Sequence, residues 1–270
     1  MNFLSSRSKA ASLVCAVFCT AFFPTPAEAE DLNVSAAISL QDAFLACKKL
    51  FERANPGSKV FFNFGASGTV AAQIEHGAVA DVYAAASVDN MHNLIKKGLI
   101  KSSDVKCLAI NSLVIAVPVK KDSGSGANSQ VERVRDLLEC KRVAIGDPQS
   151  VPAGRYAVQA LSKARVYDEM KARHSLVFAE SVRQVLTYVE SGNVDAGLVY
   201  ATDLRSSAKA RAAMTVRSNF TDPIVYPIAM LKESKHGALA ARFIKLVTSA
   251  EGQKLLQSQG FLSPSPSAPE

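Results

Sequence analysis

Short apolar runs alternate with segments of helical periodicity along most of the chain. Apolar runs at residues 32–37, 60–64 and 81–86 are each followed by a segment in which apolar residues recur every three or four positions. The first of these faces begins with Leu40 and Phe44. Such alternation predicts parallel strands connected by helices, which is the pattern of an α/β fold.

Two longer extended runs, at residues 112–119 and 224–230, interrupt this rhythm. The alternation starts again between them, and two further helices are predicted after the second run. The remaining predicted elements are strands at 142–146, 176–179 and 196–200, helices from Ala153 and Val182, and terminal helices, one burying Leu239, Phe243, Leu246 and Val247 and the other covering residues 250–259.

We therefore predict a two-lobed molecule in which each lobe is a mostly parallel sheet flanked by helices. Residues 30–112 and 228–262 are assigned to a discontinuous first lobe, and residues 113–227 to a second lobe inserted into it. The two long runs become crossover strands, and paired crossovers of this kind are expected to act as a hinge.

Both ends of the chain are predicted to lie outside the fold. Residues 1–29 have the plan of a signal peptide, with a positive start (Arg7, Lys9), a short apolar stretch and small residues in Ala27-Glu28-Ala29. We expect this segment to be cleaved and the protein to be exported to the periplasm. Residues 263–270 are rich in Ser and Pro and are predicted to form a disordered tail.

Charge and cysteine content narrow the class of protein. The formal net charge is +7, but Lys and Arg do not cluster with aromatic residues, so nucleic-acid binding is not indicated. After the leader, no apolar run approaches the ~18 residues that a membrane span needs. Neither Cys15 nor Cys19 follows a convincing lipobox, so a soluble product is expected. Cys47, Cys107 and Cys140 allow at most one internal disulfide and are expected to be buried structural thiols.

The sequence carries none of the common catalytic motifs. Residues 65–68, Gly-Ala-Ser-Gly, resemble a nucleophile elbow, but the second glycine comes one position too early. None of the four histidines has an acidic residue at the spacing of a recognisable metal motif. An enzyme is therefore not supported, and a secreted α/β hydrolase is kept only as an alternative.

Several predicted strands lead into helices whose first residues offer hydrogen-bond donors. Ser39 follows the first strand, Ser67 the second, and residues 152–154 and Val182 open helices in the second lobe. Helix N-termini present free backbone N–H groups and a dipole that favours anions. Ser39 and Ser67 taken alone would more often be plain N-caps. Their repetition over both lobes favours a cleft that binds a small anion.

Motifs over residues 32–261 give these positions a family context. They are Ala36-Ala37-Ile38-Ser39-Leu40, Asn63-Phe64-Gly65-Ala66-Ser67-Gly68, Gly77-Ala78-Val79-Ala80-Asp81-Val82, Asp147-Pro148, Val151-Pro152-Ala153-Gly154-Arg155-Tyr156-Ala157, Glu180-Ser181-Val182-Arg183-Gln184-Val185-Leu186 and Asp195-Ala196-Gly197-Leu198-Val199-Tyr200. Together and in this order, they resemble the periplasmic molybdate-binding proteins of ABC transporters, which have the type II periplasmic-binding-protein fold.

The resemblance implies a ligand site at Ser39, Ser67, Ala153, Val182 and Tyr200. The serines would donate hydroxyl and backbone N–H groups, Ala153 and Val182 backbone N–H groups, and Tyr200 its phenolic hydroxyl. The ligand would be molybdate or tungstate, with no cofactor, no direct cation ligand and no catalytic residue. The implied partner is the membrane permease of the importer, and a monomer is expected.

A different small anion is the nearest alternative to this prediction. Sulfate or thiosulfate needs the same donors, whereas an organic acid is commonly held by an arginine. Arg155 and Arg183 lie near the predicted helix starts, and we expect them to pack or to pair with carboxylates. A direct contact between Arg155 and the ligand would favour an organic acid.

Overall fold

The computed structural model describes residues 30–119 and 131–264. The predicted signal peptide, residues 120–130 and all but the first two residues of the predicted tail lie outside this part of the chain. The strands are β1 (Asp31–Ala37), β2 (Lys59–Gly65), β3 (Val82–Ala84), β4 (Lys106–Ile110), β5 (Leu113–Pro118), β6 (Val143–Gly146), β7 (Leu176–Ala179), β8 (Ala196–Tyr200), β9 (Ala210–Thr215) and β10 (Val225–Met230). The helices are α1 (Gln41–Ala54), α2 (Ser67–Glu75), α3 (Val88–Lys96), α4 (Pro152–Lys163), α5 (Tyr167–Ala172), α6 (Val182–Glu190), α7 (Gly237–Thr248) and α8 (Ala250–Ser258).

The strands form two five-stranded sheets, in the orders β2-β1-β3-β10-β4 and β7-β6-β8-β5-β9. In each sheet four strands run in one direction. Only β10 in the first sheet and β5 in the second are antiparallel to their neighbours. The predicted two-lobed α/β fold is therefore confirmed, and each sheet is mixed through a single reversed strand.

The two reversed strands are the long runs that the sequence predicted as crossovers. The chain passes from the first sheet to the second between β4 and β5, and it returns between β9 and β10. Val225 and Tyr226 already pair with β4 in the first sheet. Residues 225–227 thus belong to the same continuous strand as residues 228–230, whereas the predicted lobe boundary falls at 227/228.

Three elements were not predicted from the sequence, namely β4, β9 and α5. β9 reads Ala-Arg-Ala-Ala-Met-Thr and lacks the β-branched and aromatic residues that mark a strand. It is held at the sheet edge by pairing with β5, and a register shift interrupts that ladder. Tertiary pairing, rather than local propensity, makes this segment a strand.

The helices cover the sheets with the apolar faces that their periodicity predicts. On α1, Phe44 and Phe51 are buried and meet Phe243 of α7 edge-to-face, with ring centroids 5.6 and 5.4 Å apart. Cys47 on the same face and Cys140 are buried, whereas Cys107 is half-buried. No disulfide joins these three thiols, all of which lie in the described part of the chain.

Candidate functional site

The carboxyl ends of three parallel strands from each sheet meet between the two lobes. In the first lobe these are the ends of β1, β2 and β3, and in the second lobe the ends of β6, β7 and β8. Open α/β sheets place their ligand crevices at this edge of the strands. The carboxyl ends of these six strands thus define where a ligand is expected to bind.

A small cavity lies at this meeting point. All five residues that the resemblance implicated line it, and none of its lining residues has an acidic or basic side chain. The lining consists of Ala37, Ile38, Ser39, Gly65, Ala66, Ser67, Ala86, Val151, Pro152, Ala153, Val182 and Tyr200. The polar groups that reach it are therefore neutral.

Ser67 is the first residue of α2 and is 1% exposed. Its Oγ accepts the backbone N–H of Ala86 at 2.9 Å, so the hydroxyl hydrogen is left to donate elsewhere. The N-cap of α2 is Ala66, and no side chain caps it. The alternative that Ser67 is a plain N-cap is therefore wrong, because its Oγ accepts from the loop after β3 and caps no N–H group of α2.

Ser39 lies in a single 3₁₀ turn between β1 and α1. Its Oγ is 3.0 Å from the Oη of Tyr226 on β10. It caps no helix either, since the residue at the N-cap of α1 is Leu40. Both serines thus have tertiary partners that fix their hydroxyl groups at the cavity.

Ala153 and Val182 line the cavity from the starts of two helices. Ala153 lies in the first turn of α4, and Val182 is the first residue of α6. The first N–H groups of a helix have no acceptor within it and carry the positive end of the helix dipole. As predicted, α6 begins after Ser181, whose hydroxyl accepts the N–H of Gln184 and fixes the helix start.

Tyr200 ends β8 and is 1% exposed. Its Oη has no hydrogen-bond partner among the described residues. Burial raises the pKa of this hydroxyl well above its ordinary value, so it keeps its proton and remains a donor. An unpartnered buried hydroxyl costs free energy, and a ligand that accepts its hydrogen bond removes that cost.

Two arginines join the lobes beside the cavity but do not line it. Arg155 of α4 donates to Ser87 Oγ at 2.7 Å and to Asn90 Oδ1 at 2.8 Å, both in the first lobe. Arg183 of α6 forms an ion pair with Asp42 of α1 at 3.1 Å. Arg155 also lies 3.8 Å from the Asp89 carboxylate, so both arginines pair with carboxylates as expected. Arg155 does not line the cavity, where an organic-acid site would require it.

The lobes also touch through backbone. The Gly68 N–H donates to the Ser150 carbonyl at 3.0 Å across the cleft. The sequence did not predict this contact or the contact between Ser39 and Tyr226, because each of them joins residues that are far apart in the chain. The glycine at position 68 was a usable signal, since a close backbone approach is one of the few reasons to require glycine in a helix.

Asp203 is a buried carboxyl, 2% exposed, whose Oδ2 accepts the Tyr200 N–H at 3.0 Å. Burial raises the pKa of this group to about 7. The unfolded chain releases the proton near pH ~4, so between pH ~4 and ~7 the folded protein holds a proton that the unfolded chain does not. The contribution of Asp203 to stability therefore falls as the pH rises through this window.

We expect Asp203→Asn to gain stability relative to the parent as the pH rises from 4.5 to 7.5, by at most about 1.4 kcal/mol per pH unit. Denaturant unfolding at both pH values measures this difference. Asp168→Asn, at an exposed position of α5, is the matched control and should follow the parent. If the free energy of unfolding changed equally between the two pH values in Asp203→Asn and in the parent, the carboxyl would not titrate in this range.

Other kinds of site find no support in the described residues. No group of His, Cys, Asp and Glu there is arranged to hold a metal ion. In the same residues, no helix is both long and apolar enough to cross a membrane. None of the four histidines lines the cavity, so Ser39 and Ser67 have no histidine beside them there as a serine hydrolase would require.

Two sheet-based lobes that close over a cavity lined by neutral donors define a solute-binding protein. Residues 32–262 match the family of bacterial extracellular solute-binding proteins, and the chain belongs to this family.

Individual relatives agree with this assignment. The chain is 34% identical over 230 residues to the molybdate-binding protein ModA of Haemophilus influenzae, which is 85% of this chain and 89% of that protein. It is 37% identical over 230 residues, 85% of each chain, to YvgL of Bacillus subtilis, provisionally named an ABC transporter substrate-binding lipoprotein. The solved periplasmic molybdate-binding protein of Azotobacter vinelandii shares the fold, with a TM-score of 0.76 and 23% identity over 87% of this chain and all of that one.

Proposed function

We propose that this protein is the substrate-binding component of an ABC importer for molybdate. It captures the MoO₄²⁻ dianion between its lobes and holds it with neutral hydrogen-bond donors. The ligand contacts are the hydroxyl groups of Ser39, Ser67 and Tyr200 and the backbone N–H groups of Ala153 and Val182. Neither a cofactor nor a protein-bound cation takes part.

The observation that carries this proposal is the unpartnered hydroxyl of Tyr200 at the wall of a cavity without carboxylates. A buried donor without an acceptor is matched by a ligand that only accepts hydrogen bonds. Ser67 and the two helix starts are also part of the cavity lining and add further donors. A fully ionised tetrahedral oxyanion fits this set, whereas a protonated phosphate also needs an acceptor.

The energetics are adequate for tight binding. A hydrogen bond to a charged acceptor contributes about 1.5–3 kcal/mol net. About half a dozen such bonds exceed the desolvation of the dianion enough to reach roughly −8 to −12 kcal/mol, or micromolar to nanomolar affinity. Discrimination between molybdate and sulfate then depends on the size of the cavity, because both ions have the same charge and shape. Tungstate is nearly the size of molybdate, so we propose that it binds as well.

The rest of the assignment follows from this role. We propose export to the periplasm with cleavage of residues 1–29, a monomeric protein that leaves the cleft accessible, and delivery of the ion to the permease of the importer. A lipid-anchored form is the alternative that the name of the Bacillus relative raises. Cys15 and Cys19 without a convincing lipobox favour the soluble form.

Tyr200→Phe tests the central donor directly. The variant removes one hydroxyl that has no partner in the protein, so the melting temperature of the ligand-free protein should not fall. Molybdate affinity should fall about 10-fold, measured by calorimetric titration. Tyr167→Phe, on α5 and remote from the cavity lining, is the matched control and should bind as the parent does. Unchanged affinity in Tyr200→Phe would mean that the Tyr200 hydroxyl does not contact the bound ion.

A further inference from the structure

Behind the cavity, a line of buried polar side chains runs from the first lobe to the second. Ser39 Oγ lies 3.0 Å from Tyr226 Oη, and Asn111 Nδ2 donates to Tyr226 Oη at 3.2 Å. The same amide nitrogen donates to Thr202 Oγ1 at 2.9 Å. All four residues are at most 8% exposed, and only Ser39 lines the cavity. This line of side chains has no part in the proposed ligand contacts apart from Ser39.

The hydrogen bonds in this line have a fixed direction. The Ser112 backbone N–H donates to Asn111 Oδ1 at 2.8 Å, which fixes the orientation of the amide. Its nitrogen can only donate, so Tyr226 Oη is the acceptor from Asn111. The described residues offer the Tyr226 hydroxyl hydrogen no acceptor other than Ser39 Oγ. Ser39 therefore accepts from Tyr226, and its own hydrogen is left for the cavity.

Burial keeps this arrangement in one protonation state. Tyr226 is fully buried, and burial raises the pKa of its hydroxyl well above the ordinary value. The phenol therefore stays neutral and remains able to donate to Ser39. Because Asn111 lies where the chain passes from the first sheet to the second, the direction of the line is set at the connection between the lobes.

We infer that Asn111 and Tyr226 are positioning residues that fix the Ser39 hydroxyl as a hydrogen-bond donor to the bound oxyanion. They act without touching the ion, and they favour ions that are fully deprotonated and only accept hydrogen bonds. This inference rests on the proposed function and adds two residues to it. It also gives a reason for a tyrosine at position 226, where phenylalanine fills nearly the same space.

A double-mutant cycle tests the inference, with molybdate affinity measured by calorimetric titration of the parent, Tyr226→Phe, Ser39→Ala and the double variant. If Tyr226 acts through Ser39, Tyr226→Phe should weaken binding about fivefold in the parent and less than twofold in the Ser39→Ala background. Equal losses in both backgrounds would overturn the inference, because Tyr226 would then act by another route.

A matched variant separates positioning from stability. Thr202→Val removes the other acceptor of the Asn111 amide but leaves the bonds among Asn111, Tyr226 and Ser39 in place. It should lower the melting temperature yet keep the affinity within twofold of the parent; a loss as large as that of Tyr226→Phe would assign both effects to destabilisation and overturn the inference.

Asn111→Asp provides a second test that does not depend on Tyr226→Phe being well folded. The new carboxylate accepts a hydrogen bond from Tyr226 instead of donating one, so the Ser39 hydroxyl hydrogen turns away from the cavity. Ser39→Ala should then weaken molybdate binding less in the Asn111→Asp background than in the parent. An equal loss of affinity on Ser39→Ala in both backgrounds would contradict the inference. A parent protein that fails to bind molybdate would overturn the proposed function as well, whereas additive losses in a parent that binds would overturn this inference alone.

Discussion

Gly68→Ala is expected to weaken molybdate binding by about 100-fold without destabilising the ligand-free protein. A Cβ atom at position 68 would lie 2.6 Å from the Ser150 carbonyl oxygen and 3.0 Å from Ser150 Cα, both backbone atoms of the opposite lobe. The same oxygen accepts the Gly68 N–H. The lobes cannot approach to their observed distance with alanine there, so the donors of the second lobe do not close over the ion.

The first lobe by itself tolerates this change. Gly68 lies in the first turn of α2, where alanine is a better helix former than glycine. The overlap is relieved when the cleft opens, so the cost falls on closure rather than on folding. Calorimetric titration and thermal unfolding of the ligand-free protein measure the two effects separately.

Gly237→Ala is the control for this variant. It makes the same chemical change at the start of α7, where the new Cβ meets only Met230 Sδ at 3.6 Å. The control should bind molybdate as the parent does. Parental affinity in Gly68→Ala itself would mean that binding does not require the closed arrangement.

Gly154→Ala is expected to give the largest loss of stability. A Cβ atom here would overlap the Gly146 carbonyl oxygen and lie 2.6 Å from its carbonyl carbon. Both residues belong to the second lobe, so no movement between lobes relieves the overlap. The start of α4 must instead move away from the end of β6, at a cost of about 3 kcal/mol.

Thermal unfolding should show this cost as a melting temperature about 10 °C lower than that of the parent. Because Ala153 is the adjacent residue, the displaced helix start should weaken molybdate binding too. The Gly237→Ala control should melt close to the parent. A Gly154→Ala protein of parental stability would show that α4 does not pack this closely on β6.

Much of the fold could be predicted from the sequence. The reversed strands β5 and β10 were visible as long apolar runs because each lies in the interior of its sheet. The α6 face was predicted position by position, since Val182, Val185, Leu186 and Val189 are all buried. β4 and β9 were not predicted, because their strand conformation comes from pairing with distant segments rather than from their own composition.

For the candidate site, the sequence indicated which residues to consider but not their hydrogen-bond partners. The five predicted ligand residues lie at or after strand ends, and all five are among the residues that line one cavity. That they bind the ligand stays a prediction. What those residues bond to was beyond the sequence. Ser39 and Tyr226 are 187 positions apart, and nothing in either local pattern indicates that the two hydroxyl groups meet. The N-cap alternative for the serines was wrong because their hydroxyl groups bond to distant residues, Tyr226 and Ala86, rather than to the helix starts.

The most direct test of the proposed function is calorimetric titration of the protein from residue 30 onward with molybdate, tungstate, sulfate and phosphate in turn. A cavity lined by neutral donors and selective by size predicts 1:1 binding of molybdate and tungstate with micromolar affinity or better, and weak or no heat with sulfate and phosphate. Tight binding of sulfate with no response to molybdate would contradict the assignment of the ion. Silence toward all four ions would contradict oxyanion binding itself.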